Sequence, residues 1–415
     1  MTTTDLPLRR TTDGFGATSL PTSTAAVPST VDDDATTAEV RRRVRRVLAE
    51  YTDAERLTRH DEDETYDVEL YRALGREGLI QLEAELEGRS AAHRSQTAVL
   101  EELGAGATSM GVSLVVAYMG VELLHCFADG RQRREFLAPL LHGEARVSFA
   151  LSEPDGGTDV ARVMRTGATR QADGSWVLNG RKKWIGGASS ADFLLVLART
   201  EAIDRSAIDG ITLFIVPRDT PGITTTPIDT MGIRALEQAD VVLENVRVPA
   251  DGVLGQTHRG FRQVLATLNG ERLNGAAVAL GIARGALQTA VDWARQRESF
   301  GRPVGGFQAI QHQLVDAAVK VESARLLLAN AAGRSDEAAA GADDTLSALA
   351  KLAASDAATT ATDVGMRVMG GWGYLRQLPM QRYFRDARLY TFAPLTDEMI
   401  RNYLGERHLG LPRSY

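Results

Sequence analysis

Cysteine is almost absent: Cys126 stands alone among 415 residues. A single thiol closes no intrachain disulfide, so a reducing, cytoplasmic setting is expected. Within its apolar run the thiol reads as an inert core group. Basic excess is missing as well. The formal net charge is -7 and the pI near 5.6, which argues against a nucleic-acid partner. The one strongly basic cluster, residues 41–46 (RRRVRR), alternates with acids further along its helix and reads as a solvated face. The longest apolar run, residues 110–121 (MGVSLVVAYMGV), meets Glu122 and His125 before it spans a bilayer, and predicts a buried core helix and no membrane partner. Arg9 and Arg10 lead into no apolar segment of the kind a secretion signal needs. No G-x-G-x-x-G follows a strand, the seven histidines lack ligand spacing, and no G-x-S-x-G elbow occurs. A nicotinamide-binding Rossmann unit, a metal centre and a serine hydrolase are therefore unsupported.

What is present divides the chain. Residues 1–35 are rich in Thr, Ser, Asp and Pro, with too little apolar surface to offset ordering, and read as a disordered extension. Over residues 36–145, Tyr66, Leu70, Ala73 and Leu74, then Val99, Leu100 and Leu103, recur at helical spacing and predict an all-α domain. Between 146 and 258 the period changes. Short β-rich runs at 176–178, 192–198, 211–216 and 240–248 alternate with Gly, Pro, Asn and Asp, which implies a small antiparallel sheet or barrel. Helical character returns over 259–415, where two Ala-rich segments, 324–340 and 345–363, flank a turn at Gly341. The predicted fold class is α+β: helical domain, middle β-barrel domain, helical bundle.

Two stretches carry chemistry. In residues 149–160 (FALSEPDGGTDV) a β-type run meets Pro154 and the pair Gly156 and Gly157. Such a tight loop lets main-chain N–H groups and the Ser152 and Thr158 hydroxyls approach a ligand. Further on, Phe261, Val264, Leu268, Glu271 and Gly275 step by three and four, placing Glu271 on the buried stripe of an amphipathic helix. A carboxylate there is costly unless paired or used. A core salt bridge, with Arg272 or another arginine, is one reading. A general base is the other, because burial raises a carboxyl pKa toward the range a base needs. Gly270 and Gly275 each cost the helix about 1 kcal/mol relative to Ala, a cost that close approach of a ligand or backbone would explain.

The loop resembles the first signature of the acyl-CoA dehydrogenase family, small-apolar-[ST]-E-x-x-x-G-[ST]-D. The resemblance implies bound FAD, its pyrimidine edge cradled by Phe149, Leu151, Ser152, Gly157 and Thr158. In RKKWIGG, Trp184 resembles the tryptophan lying against the flavin face, while Gly186 stands where a threonine hydroxyl usually reaches flavin N5. In RQRESFG, Arg297, Ser299 and Phe300 resemble the segment that holds the FAD pyrophosphate of a neighbouring subunit, helped by Gln308. Gly370, Gly371, Gly373, Arg382 and Asp386 fit the second signature, with Arg367 in place of the usual Gln, Asp or Glu and still expected at the pyrophosphate. Thr396 and Glu398 complete the implied cofactor contacts, and Thr158, Asn269 and Arg272 those to substrate.

The catalytic position departs from the commonest pattern. Many members follow R-D-A-[KR]-[IL]-Y with E-G-T, whose glutamate removes the substrate α-proton; here Pro394-Leu395-Thr396 stands there. Isovaleryl-CoA and long-chain members are similar in carrying the base on the first long helix of a C-terminal four-helix bundle, where this chain has Gly270-Glu271-Arg272. The resemblance thus implies α,β-dehydrogenation of an acyl thioester, on coenzyme A or a carrier protein, with Glu271 as base. Electrons would pass to an electron-transfer flavoprotein or to oxygen, in a homotetramer or dimer. Gly186 leaves open a flavin oxidase or monooxygenase, and Pro394 a non-catalytic flavoprotein.

Overall fold

The computed structural model describes residues 26–82, 92–337 and 344–414. Residues 1–25 and the turn expected at Gly341 lie outside them.

The chain begins with helices α1 (Ala35–Tyr51), α2 (Ala54–Glu62) and α3 (Val68–Arg76), each opened by an aspartate cap: Asp34 accepts from Thr37 N, Asp53 from Arg56 N and Asp67 from Leu70 N. Helices α4 (His93–Gly106) and α5 (Thr108–Phe127) follow. Helix α5 is long and apolar enough to cross a bilayer, yet Leu114, Val121, Leu123 and Leu124 are fully buried inside the protein. Cys126 differs from the expected core thiol. It is exposed, because the helix has only one more residue to run and its last turn reaches the surface.

The basic cluster of α1 also differs from expectation. Arg41 pairs with Glu101 at 2.8 Å and Glu102 at 3.1 Å, and Arg284 and Arg325 close on the same acids. Two adjacent buried carboxylates on α4 need these guanidiniums, whereas Arg42, Arg45 and Arg46 are exposed, Arg42 and Arg46 pairing with Glu39 and Glu77 and Arg45 reaching in to Glu102. The expected extension likewise gives way at residues 26–34. Val27 N donates to Gln288 at 2.7 Å and Thr30 N to Glu322 at 2.6 Å, strapping this segment across the C-terminal helices.

The middle of the chain is one sheet of seven strands: β1 (Val147–Ala150), β2 (Gly167–Arg170), β3 (Trp176–Gly186), β4 (Phe193–Arg199), β5 (Ile211–Pro217), β6 (Ile223–Ile228) and β7 (Gln238–Val248). Their order is β1-β4-β2-β3-β7-β6, with β5 beside β4. The expected antiparallel pattern holds for β3 with β7 and β4 with β5. It fails where β4 runs parallel to β1 and β2, because the chain crosses over through the Ser-Glu-Pro loop before pairing. Ala150, Leu178, Ile185, Leu194, Val196 and Val241 fill the core on one side.

The last part holds α6 (Gly260–Gln296), α7 (Gln308–Glu337), α8 (Asp344–Met369), α9 (Pro379–Ala387) and α10 (Asp397–Arg407). Glycines set where α6 lies. A Cβ at Gly260 would sit 2.2 Å from Leu213 N, so the helix starts hard against β5. A Cβ at Gly281 would sit 2.2 Å from Glu101 O and 2.8 Å from Gly104 Cα, so α4 and α6 touch backbone to backbone. Gly281→Ala gains about 1 kcal/mol of helix propensity, but parting two packed helices costs more, and a net loss of about 2 kcal/mol is expected. A thermal unfolding midpoint below wild type checks it. The sheet is riveted to the bundle as well: Ile233 N donates to Asp386 at 2.7 Å, while Arg385 reaches across to Asp61 of α2 at 2.6 Å.

Candidate active site

The Ser-Glu-Pro loop is built by reciprocal backbone bonds, Glu153 N to Gly156 O and Gly156 N to Glu153 O, both 3.1 Å. Gly156 is required, since a Cβ there would lie 2.2 Å from Val163, whereas Gly157 faces open space. Beneath the loop sits a fully buried ion pair that sequence reasoning missed. Lys182 Nζ donates to Glu153 Oε1 at 2.9 Å and to Leu151 O at 3.0 Å, and Glu153 accepts from Arg165 N and Thr166 N. Burial pulls the Lys182 ammonium down to about 8 against the attraction of Glu153. Period-two alternation cannot distinguish such a lysine from an outward one.

Lys183 N bonds Ser152 O at 2.9 Å, and Ser148 Oγ donates to Gly186 O at 2.7 Å. These ties bring Phe149, Leu151, Ser152, Trp184 and Gly186 into one wall. A bulge between Lys182 and Ile185, with Trp184 at φ +62°, throws the indole outward, where it is 55% exposed with Lys183 over its ring. The Ser152 and Thr158 hydroxyls have no partner among the described residues.

Glu271 lies about three turns into α6, just before the buried stretch that starts at Leu273, half-buried and without a hydrogen bond or ion pair among the described residues. The salt-bridge reading is not met: the Arg272 guanidinium approaches Asp344 at 3.8 Å and stands over the Tyr403 ring. Burial pushes the Glu271 carboxyl up to about 7, with Arg272 pulling the other way. One turn on, a Cβ at Gly275 would meet Pro394 Cδ at 3.1 Å and Tyr390 at 3.9 Å, so the face of α6 carrying Glu271 fronts Pro394. Two polar groups not foreseen flank the other side of the helix. A Cβ at Gly270 would lie 3.4 Å from His93 Cε1 and 3.6 Å from Glu122 Oε2, and burial drives His93 down to about 4 and Glu122 up to about 8. Burial thus favours the uncharged form of each, which lowers the cost of seating them against this helix. The side chain of Asn269 lies outside the described residues.

The segment facing Glu271 is held from behind. Lys351, nearly fully buried, donates to Tyr390 O, Leu395 O and Asp397 at 2.7–2.9 Å, and Ser355 Oγ bonds Tyr390 O and Asp397. The Thr396 hydroxyl is committed to capping α10 through Met399 N, and Glu398 is exposed, 3.8 Å from Arg401.

The remaining expected residues form a second group at the far end of α6. Arg297 lies 26 residues beyond Glu271, about 39 Å at the helical rise. The rings of Trp293 and Trp372 meet at a tilt, centroids 5.6 Å apart, and join the end of α6 to the Gly370–Gly371 turn, where Gly370 takes φ +57°. Arg297, Gln308 and Phe300, the last 94% exposed, face solvent, and Arg367 pairs with Asp363 at 2.9 Å. Within one chain this group stands a long way along α6 from Glu271.

Family models described as the N-terminal, middle and C-terminal domains of acyl-CoA dehydrogenase match residues 34–144, 148–246 and 258–409. The chain belongs to the acyl-CoA dehydrogenase family. It is 38% identical to the mitochondrial short-chain specific acyl-CoA dehydrogenase of Bos taurus over 349 residues, 82% of each chain. A glutaryl-CoA dehydrogenase from Mycobacterium smegmatis, solved in complex with FADH2, superposes with a TM-score of 0.83 at 28% identity, covering 92% of this chain and 96% of that one. The prolyl acyl carrier protein oxidase AnaB gives 0.80 at 25% identity, covering 92% and 100%.

As an acyl-CoA dehydrogenase the protein is an oxidoreductase acting on CH–CH bonds, and its cofactor is FAD. The residues fit that cofactor. Open space at Gly157, unpartnered hydroxyls at Ser152 and Thr158 and an outward indole at Trp184 offer a polar rim and a flat apolar face to a ring system.

Proposed function

We propose that this protein oxidises an acyl-CoA thioester between its α- and β-carbons, with Glu271 removing the α-proton. The observation that carries the reading is a half-buried, unpaired carboxyl on α6 facing Pro394, the position from which the family's commonest base is missing. FAD, when bound, accepts the hydride from the β-carbon. Glu271 takes the proton from the opposite side, Trp184 and the Ser152 loop fix the ring, and the Lys351 clamp holds Tyr390 to Leu395 so that the thioester has a rigid seat. An unpaired carboxyl in this position supports the catalytic reading over the non-catalytic flavoprotein that Pro394 raised.

Glu271 must be ionised to act. With its pKa up from 4.5 to about 7, the rate of anaerobic flavin bleaching by CoA thioesters is expected to rise from pH 6 to pH 8, half-maximal near 7. Stability runs the other way: Glu271's folded pKa lies above its unfolded value, so its contribution is full below about 4.5 and lost as pH rises through about 7. A bleaching rate flat across that range, or no bleaching by any CoA thioester, defeats the proposal.

The exposed Arg297 group supports a second copy of the chain holding the distal end of the FAD, because its roughly 39 Å distance from Glu271 along α6 exceeds what one dinucleotide spans. A second reading, an acyl group on a carrier protein with oxygen as acceptor, is favoured by the likeness to the prolyl acyl carrier protein oxidase. Peroxide release on turnover with a carrier-bound acyl group distinguishes it from transfer to an electron-transfer flavoprotein.

A further inference from the structure

Gly186 has no side chain to offer the flavin, and the strand beside it fills the gap. Its antiparallel partner is Gln238. The next residues along each strand, Ile185 and Ala239, are buried in the sheet's core, so Gly186 and Gln238 share the opposite face, the one from which Trp184 projects two residues earlier. A Cβ built on Gly186 would lie 3.4 Å from Gln238 Nε2 and 3.7 Å from Gln238 Oε1. The carboxamide therefore stands at the mouth of the space that a side chain at 186 would enter. Gln238 Nε2 donates one N–H to Leu236 O at 3.2 Å, which identifies the nitrogen end of the amide. The second N–H has no partner among the described residues.

We propose that Gln238 is a positioning residue for the cofactor, donating this free N–H to N5 of the FAD ring in place of a hydroxyl on residue 186. The inference rests on the ring lying against Trp184 and Gly186. A neutral donor at the atom that receives the hydride favours the transfer, because negative charge accumulates there as the bond forms. It reaches N5 from the neighbouring strand, which is why the shortest side chain is tolerated at 186: the amide already occupies the room.

The test is spectroscopic. Wild type, Q238M, Q238E and the double variant G186S/Q238A are loaded with FAD carrying 15N at N5. Methionine keeps the bulk without a donor, and ionised glutamate keeps the shape without an N–H. In Q238M and Q238E the N5 resonance is expected to move toward that of flavin in aprotic solvent, with anaerobic reduction slowed about tenfold, the worth of one hydrogen bond. In G186S/Q238A the hydroxyl enters the vacated room and both values return toward wild type. An N5 resonance unchanged in Q238M and Q238E overturns the assignment. Wild-type protein that takes up no FAD overturns the underlying placement of the cofactor instead, before any variant is compared.

Discussion

Glu271→Gln is expected to leave FAD bound and yellow while abolishing its bleaching by thioester. The amide matches the carboxyl in size and removes only its capacity to accept a proton, so the wall of Phe149, Ser152 and Trp184, which touches none of it, keeps its cofactor. Loss of a positioned general base costs about a thousandfold in the reductive step. Glu271→Asp keeps a carboxylate but withdraws it by one methylene, and should retain part of the rate. Rapid-mixing absorbance under anaerobic conditions measures both. A Gln variant that bleaches as fast as wild type would move the base elsewhere, with Glu122 the next titratable group against the same helix.

Lys351→Met should be the most destabilising single change in the C-terminal helices. Lys351 is 1% exposed and serves Tyr390 O, Leu395 O and the Asp397 carboxylate together. Burial pulls its ammonium down while Asp397 holds it charged. Methionine fills the volume but strands Leu395 O and leaves Tyr390 O and Asp397 with Ser355 as their remaining side-chain donor. Removing one partner of a buried pair costs about 3–5 kcal/mol, far beyond the worth of an exposed bridge such as Arg367 with Asp363. The measurement is the melting temperature of the FAD-loaded protein. In Lys351→Met/Asp397→Asn the charge is gone, and part of the loss should return. Lys351→Met melting with wild type would show that the pair contributes nothing net.

The parts of the site written in consecutive residues were legible beforehand. The Ser-Glu-Pro loop announces itself through Pro154 and two glycines, and Glu271 through its place on a helical stripe, because each is a local pattern with one physical meaning. Gln238 was invisible for the opposite reason: it lies 52 positions after Gly186 and meets it only through the β3–β7 register. Arg41 misled in the same way, its partners Glu101 and Glu102 being supplied by a separate helix, α4, that packs against α1. Lys182 and Lys351 look like surface residues until the carbonyls and carboxylates they serve are in place. The parallel pairing of β1 with β4 is likewise a property of the crossover and leaves no mark on either strand.

The length of α6 bears on how the protein must be handled. On the two-copy arrangement proposed above, each ring is gripped by one chain and its tail by another, so retention of colour becomes a matter of mass action. Dilution should bleed yellow from the preparation in step with dissociation, and excess FAD should pull the copies back together.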